Sequence, residues 1–354
     1  MPSSTLIHPA AVLPPSMQVI EVMNPGANSC LVTATRSLPA LLPGQLLLKV
    51  HAAGVNRADL MQRRGLYPPQ PNESDILGLE ASGEVVAVAD DHLSHWLGKS
   101  VMALVPGGGY AEYVRVDALH VMQTPKGWSM HLAAAAPEVF LTAYQLLFEL
   151  GQLEAGQRVL LHAGASGVGT AAIQLAKACG AEVAVTVGNQ KKADACLALG
   201  ADLAIDYRQQ DFVAVLSQQW PTGVNLILDP VAGDYLVKDA ALLAMDAKVV
   251  IYALMGGRQT EFDMAPWFKK RAQLLFSTLR NRSDHYKAEL VRHLQADFAA
   301  AFAVGRIQPV MHSVLPWSEA EQAHQLLATN QSIGKVVLNI ASSTLDATLS
   351  SGTS

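Results

Sequence analysis

The chain has 354 residues, half of them apolar and only 16% charged, with a formal charge of −5. That length suits two domains, and the composition excludes a disordered chain and makes nucleic acid a poor first guess. No uncharged apolar run reaches the roughly 20 residues that span a bilayer, and the opening "MPSSTLIHPAAVLPPS" lacks the basic region of a secretory signal. Cys30, Cys179 and Cys196 are scattered without C-x-x-C spacing. They indicate a reducing compartment, hence the cytoplasm, and argue against a structural zinc cluster.

Up to about Pro137 the chain alternates short strand-like pieces with Gly and Pro turns: "GQLLLKVHAAGV", "ASGEVVAVA", "KSVMALVPGGGYAEYVRV". Period-two alternation with frequent turn signals predicts an antiparallel, barrel-like β domain. From about Glu138 strand-like runs alternate with helical patterns: "RVLLHAG" then "GTAAIQLAKAC", "EVAVTVG" then "KKADACLAL", followed by "DLAIDY", "NLILDPV" and "KVVIYALM". Apolar strands spaced by helices predict a parallel sheet with right-handed crossovers. A helix over Asp284 to Val304, a strand "VMHSVLP", a short helix from about Ser318 and a strand "GKVVLNI" complete the pattern. That last part could extend the parallel sheet or return to the first domain. The division adopted is a first domain at 1–138, to which about 309–345 returns, a nucleotide-binding domain at 139–308, and a flexible tail at 342–354.

"HAGASGVG" lies directly between an apolar strand and an Ala-rich helix. Small residues keep such a turn tight and let backbone approach a pyrophosphate, which the N–H groups and dipole of the helix N-terminus favour. Gly164 and Gly169 fit the first and third places of G-x-G-x-x-G, with Ser166 at the second and Gly167 and Val168 following it. The alternative is a tight turn with no ligand. An NAD site needs an acidic residue about 20 positions on to accept from the ribose 2′-hydroxyl, but the second strand runs into Gly188, Asn189, Lys191 and Lys192. Cations crowd a helix start favourably only when an anion is present. NADPH is therefore expected, with Tyr207 flanking the adenosine end.

"VNRADLMQRRGLYPP", "LGLEASGEV", "LVPGGGYAEYV", "PEVFLTAYQLL", "HAGASGVGTAAIQLAK", "GVNLILDPVAG", "YALMGG" and "SIGKVVL" resemble, in order and over nearly the whole chain, the zinc-free quinone oxidoreductases of the medium-chain dehydrogenase/reductase superfamily. The resemblance implies an α/β chain: a GroES-like β-barrel catalytic domain plus a Rossmann doubly wound parallel sheet. It also implies a homodimer, with "LLFSTLR", Leu274 to Arg280, as a pairing edge. Zinc-dependent relatives carry a Cys where this chain has Asn56 and a His-Glu where it has Leu79-Glu80. A catalytic zinc needs about three His, Cys or carboxylate ligands, so no metal site is expected.

Without a metal an alcohol lacks an activator, whereas a quinone or activated enone is already electrophilic. The expected activity is metal-free hydride transfer from NADPH to quinones, ortho-quinones favoured. By resemblance Tyr67 lines the substrate cleft, and Asn56 positions the nicotinamide ribose or the substrate. Thr142 and the loop Ala253, Leu254, Met255 and Gly256 lie beside the nicotinamide, and Asn330 and Lys335 form a returning cofactor contact. Each has a plainer reading: Tyr67 as turn packing, Asn56 as a turn-stabilising residue, Thr142 and the loop as packing, Lys335 as an exposed strand start. No dedicated acid–base pair is assigned. Two alternatives remain open. One is an alkenal or enoyl-thioester reductase, for which Arg57, Arg63, Arg64, Arg280 and Arg282 would form a basic cleft mouth; the other is an NADPH-binding regulatory, RNA-binding or crystallin-like protein.

Overall fold

The computed structural model describes residues 8–9, 12–71 and 73–340, so the expected tail at 342–354 lies outside the described residues. The chain divides into two compact units: one of residues 1–135, 313–330 and 336–354, the other of residues 136–312 and 331–335.

The first unit carries β1 (His8–Pro9), β2 (Ser16–Met23), β3 (Cys30–Ser37), β4 (Gln45–Val55), α1 (Arg57–Arg63), β5 (Glu80–Val88), β6 (Ser100–Leu104), β7 (Tyr113–Asp117), β8 (Val121–Gln123) and α2 (Met130–Ala134). β4 is central, pairing antiparallel with β5 and β7 and, at its far end, with a strand from the end of the chain. Leu46 and Leu48 pack into the main core while Leu47 joins a second cluster with Leu41, Ala87 and Ala89, so all three are buried where simple alternation would expose one. The core gathers Val19, Leu48, Val85, Val101, Val116 and Leu338.

The second unit begins with α3 (Pro137–Tyr144), which runs on as a π-helical turn at Gln145–Leu150. Then come β9 (Arg158–Leu161), α4 (Gly167–Cys179), β10 (Glu182–Val187), α5 (Gln190–Ala198), β11 (Leu203–Asp206), α6 (Phe212–Gln219), β12 (Val224–Asp229), α7 (Tyr235–Ala240), β13 (Leu243–Ile251), α8 (Ala265–Lys270), β14 (Gln273–Phe276) and α9 (Asp284–Ala303). The strands are all parallel in the order β11-β10-β9-β12-β13-β14. This is the doubly wound arrangement, in which the order reverses at β9, and ligands bind beyond the strand C-termini at such a point. Val159, Leu160 and Leu161 of β9 are at most 1% exposed, as expected of a strand covered on both faces.

The chain ends through β15 (Met311–Pro316), α10 (Ala320–Ala328) and β16 (Lys335–Asn339). β15 and β16 join the sheet of the first unit, with β16 antiparallel to β4. The strand expected at Leu274 to Arg280 is shorter: β14 stops at Phe276. Beyond it Ser277 turns inward to hydrogen-bond Gln145, and Leu279 and Arg280 are buried, so the segment leaves the sheet edge.

Candidate functional site

The glycine loop sits at the C-terminal end of β9, where the fold reverses. Ser166 caps α4, its Oγ accepting from the Gly169 N–H at 3.0 Å, a side-chain cap of the usual kind. Gly164 N donates to Thr186 O at 3.1 Å, which ties the loop to β10. A Cβ on Gly164 would stand 2.5 Å from Val185 Cβ, and one on Gly169 only 2.4 Å from Gly164 O. The first glycine is thus required by packing against β10 and the last by the closeness of the turn to the helix, two of the roles a dinucleotide loop assigns.

A returning segment reaches this loop. Gly334 N donates to Ala165 O at 2.9 Å, and Lys335 N to Val310 O at 2.8 Å. Lys335 is 3% exposed, not the exposed strand start of the plainer reading. Its methylenes lie where a Cβ on Gly167 would go, 2.8 Å from Lys335 Cδ, so a long side chain buries its stem on the loop. Asn330, which belongs to the first unit and has φ +54°, accepts at its Oδ1 from Arg57 Nη2 at 2.6 Å.

At the end of β10, Asn189 caps α5 by accepting from Lys192 N at 2.9 Å. A Cβ on Gly188 would lie 3.0 Å from the Tyr207 hydroxyl and 3.6 Å from Arg208 Nε. The structure therefore brings together Gly188, Asn189, Lys192 and Tyr207, as expected, and adds Arg208, which sequence reasoning missed. Partial burial first, and then Arg208, hold the Lys192 ammonium below its ordinary range. Asp206 ends β11, but its oxygens are taken up by Arg208 N and Gln209 Nε2. A site made of cations and a glycine, with no carboxylate at the β10 end, fits a dinucleotide bearing a 2′-phosphate.

The remaining cofactor candidates follow the same strand-end logic. Thr142 is half-buried on α3. After β13, Met255 N donates to Pro230 O and Gly256 N to Val231 O at 3.1 and 2.7 Å, while Asp229 at the end of β12 accepts from Val231 N and Ala232 N. Ala253 is half-buried, and Leu254 and Met255 are half-exposed. Apolar side chains are thus held out at two adjacent strand ends. Behind the loop, His162 Nδ1 meets Thr186 Oγ1 at 2.9 Å and Nε2 meets Asp239 Oδ1 at 3.0 Å, all buried. Burial pushes the Asp239 carboxyl up, with His162 opposing it. The pair braces the β9 and β10 ends, and its two members are too far apart in sequence to signal it.

In the first unit, Asn56 caps α1 and Asp59 closes a capping box, its Oδ2 accepting from Asn56 N at 2.8 Å. The Asn56 amide donates to Glu80 Oε1 at 2.9 Å, and both residues are buried. The turn-stabilising role is therefore real. Asp59 also accepts from Gly78 N at 3.0 Å and from the Tyr110 hydroxyl at 3.4 Å, so one carboxylate ties together the two segments that carry Asn56 and Glu80. Tyr67 is half-buried beyond α1. Of the arginines expected at a basic mouth, Arg57 bonds Leu327 O and Asn330, Arg63 bonds Ser29 and Glu321, and Arg64 is exposed. Arg280 is 6% exposed, and Arg282 stacks over Tyr286.

Among the described residues no three His, Cys, Asp or Glu side chains are placed to hold a metal ion, and no helix is long and apolar enough to cross a membrane. Comparison with known proteins matches residues 42–126 to the alcohol dehydrogenase GroES-like domain and residues 167–296 to the family described as zinc-binding dehydrogenase. The human synaptic vesicle membrane protein VAT-1 homolog is 32% identical over 85% of this chain and 80% of that protein. Human quinone oxidoreductase is 28% identical over 83% of this chain and 88% of that protein. A mycobacterial protein solved in complex with NADPH superposes with TM-score 0.79 at 28% identity, covering 91% of this chain and 99% of that one.

Proposed function

Because the chain belongs to the medium-chain dehydrogenase/reductase family and is an oxidoreductase with a GroES-like domain and a Rossmann-like parallel sheet, we propose that it is an NADPH-dependent, zinc-free quinone reductase, ortho-quinones favoured. The cluster of Gly188, Lys192, Tyr207 and Arg208 at the end of β10 carries the cofactor reading, because it would welcome a 2′-phosphate and offers no carboxylate to a free ribose hydroxyl. When bound, the dinucleotide supplies a hydride, and a quinone that takes it up needs only a proton from water to become the hydroquinone.

Gly164, Ser166, Gly167, Val168 and Gly169 would cradle the pyrophosphate, with Lys335 pressed against the loop. Thr142 and Ala253, Leu254, Met255 and Gly256 would seat the nicotinamide and keep water from it. Tyr67 would orient the acceptor by a hydrogen bond from its hydroxyl. Asn56, locked to Glu80, would present a fixed polar edge rather than exchange protons. We read the chain further as a cytoplasmic homodimer paired along β14, an edge strand that exposes Phe276. The test follows nicotinamide absorbance with chelator present, offering NADPH or NADH with an ortho-quinone, an enal or a simple ketone. Chelator-insensitive turnover of the quinone with NADPH is expected. Reduction of the enal alone overturns the substrate assignment, and turnover only with NADH overturns the cofactor assignment.

A further inference from the structure

Gln145 is 1% exposed and stands where α3 passes into its π-helical turn, an interruption that frequently marks functional sites. Its N–H is shared between Leu141 O and Thr142 O, so its backbone is fastened to the turn that carries Thr142. Its side chain reaches the exit of β14. Ser277 Oγ donates to Gln145 Oε1 at 3.2 Å, while Gln145 Nε2 donates to Thr278 O at 3.4 Å and to the Tyr286 hydroxyl at 3.3 Å. An amide serves both directions, where a carboxylate would have no hydrogen to give Thr278. Ser277 in turn donates its N–H to Ile251 O at 2.8 Å, and Ile251 ends β13 just ahead of the loop Ala253 to Gly256. A continuous run of bonds within the second unit thus joins Thr142 to that loop. These are the two surfaces that would seat the nicotinamide, and a satisfied polar network rigidifies the groups it joins.

We propose that Gln145 is a positioning residue for hydride transfer: with Ser277 it sets Thr142 and the loop Ala253 to Gly256 at the separation that holds the nicotinamide against the acceptor. This role rests on the reading of those residues as the nicotinamide seat. Gln145 acts through them rather than on the cofactor itself. The anchors of the dinucleotide lie elsewhere, at the glycine loop and at the cluster of Gly188, Lys192, Tyr207 and Arg208. Loosening the seat therefore costs rate and leaves affinity in place. A misplacement of about 1 Å can cost about a hundredfold in rate, and loss of one link in the run is expected to cost about tenfold.

The experiment compares full-length Gln145→Met, Ser277→Ala and the double variant with wild type. It reads Kd for NADPH by fluorescence titration, kcat with an ortho-quinone (or with an enal, if that is the acceptor reduced), and the isotope effect with NADPH deuterated at the transferred position. Methionine keeps the length of the side chain and none of its hydrogen bonds; alanine at Ser277 removes only a hydroxyl, so it carries the same test if Gln145→Met fails to fold. Each single variant is expected to lose about tenfold in kcat, with Kd within about twofold and an isotope effect at least as large, because hydride transfer is the step slowed. The double variant is expected to lose little more than either single one, since both cut the same link. Variants that melt at lower temperature but keep the wild-type kcat overturn this inference alone. So does a Kd that weakens as much as kcat falls, which would place Gln145 in cofactor anchoring, or a fall in kcat with a vanishing isotope effect, which would place the loss in another step. Wild type that binds NADPH and reduces neither quinone nor enal overturns the reading of the site, and this inference with it.

Discussion

Acid should destabilise the first unit through a single imidazole. His324 of α10 is 3% exposed; its Nδ1 lies 3.3 Å from Arg63 Nη1 and its Nε2 3.1 Å from the Tyr110 hydroxyl. Arginine can only donate, so Nδ1 accepts, Nε2 carries the hydrogen, and the chain of donors runs from Arg63 through His324 and Tyr110 to Asp59. A second proton on His324 would set N–H against N–H. Burial, and then Arg63, push its pKa down to about 3 from 6.5, with Glu321 opposing. The unfolded chain therefore binds a proton that the folded chain refuses. Stability is full above pH 6.5 and is lost as pH falls from there toward 3. At pH 5 the gap from 6.5 is 1.5 units, which at 1.36 kcal/mol per unit amounts to about 2 kcal/mol. Glutamine at this position can accept from Arg63 and donate to Tyr110 without titrating. Urea unfolding read by tryptophan fluorescence at pH 7 and pH 5 should show His324→Gln losing about 2 kcal/mol less than wild type between the two. Equal losses in both proteins would refute the reasoning, whatever the variant's stability at pH 7.

Asp59→Ala should cost about 3–5 kcal/mol in the same assay, since it strands the amides of Asn56 and Gly78 and the Tyr110 hydroxyl; a loss under about 1 kcal/mol would mean the groups find other partners. Gly169→Ala drives a Cβ against Gly164 O, so thermal stability should fall by about 1–3 kcal/mol and fluorescence titration should show NADPH binding lost. Lys192→Ala should weaken NADPH about tenfold, the value of one charge-assisted contact, and leave NADH unchanged; an equal effect on both nucleotides would place the lysine away from the 2′-phosphate.

Local chemistry is legible in the sequence wherever a few adjacent residues decide the outcome. The turn from β9 into α4 needs glycines because the next strand and the loop's own carbonyls leave no room for a Cβ, and that demand shows as a spaced motif after an apolar strand. The lysines after Gly188 are legible for the same reason, since they break the rule that keeps cations from a helix start. The Asn56 turn is only half legible. The Asn-x-x-Asp spacing shows the capping box, but Glu80, which takes the amide, lies 24 residues away. Length of the edge strand also escapes local reading: "LLFSTLR" opens on three apolar residues and returns to Leu279, and the inward turn of Ser277 ends β14 at Phe276.

What tertiary structure alone decided is the meeting of residues that no spacing connects. Lys335 is buried against Gly167 because the returning chain pairs Gly334 with Ala165, although a lysine at a strand start reads as exposed. Arg208 comes up to Gly188 from another stretch of chain, and the His162–Asp239 and His324–Tyr110 pairs lie 77 and 214 residues apart. The sequence by itself determined the two-part architecture, the glycine loop and the absence of an acidic residue at the β10 end, because backbone sterics and periodicity act over a few residues. Placement of the charges that tune that site depends on how the sheet closes and where the chain returns, since Coulomb interactions act through space and carry no trace of sequence distance.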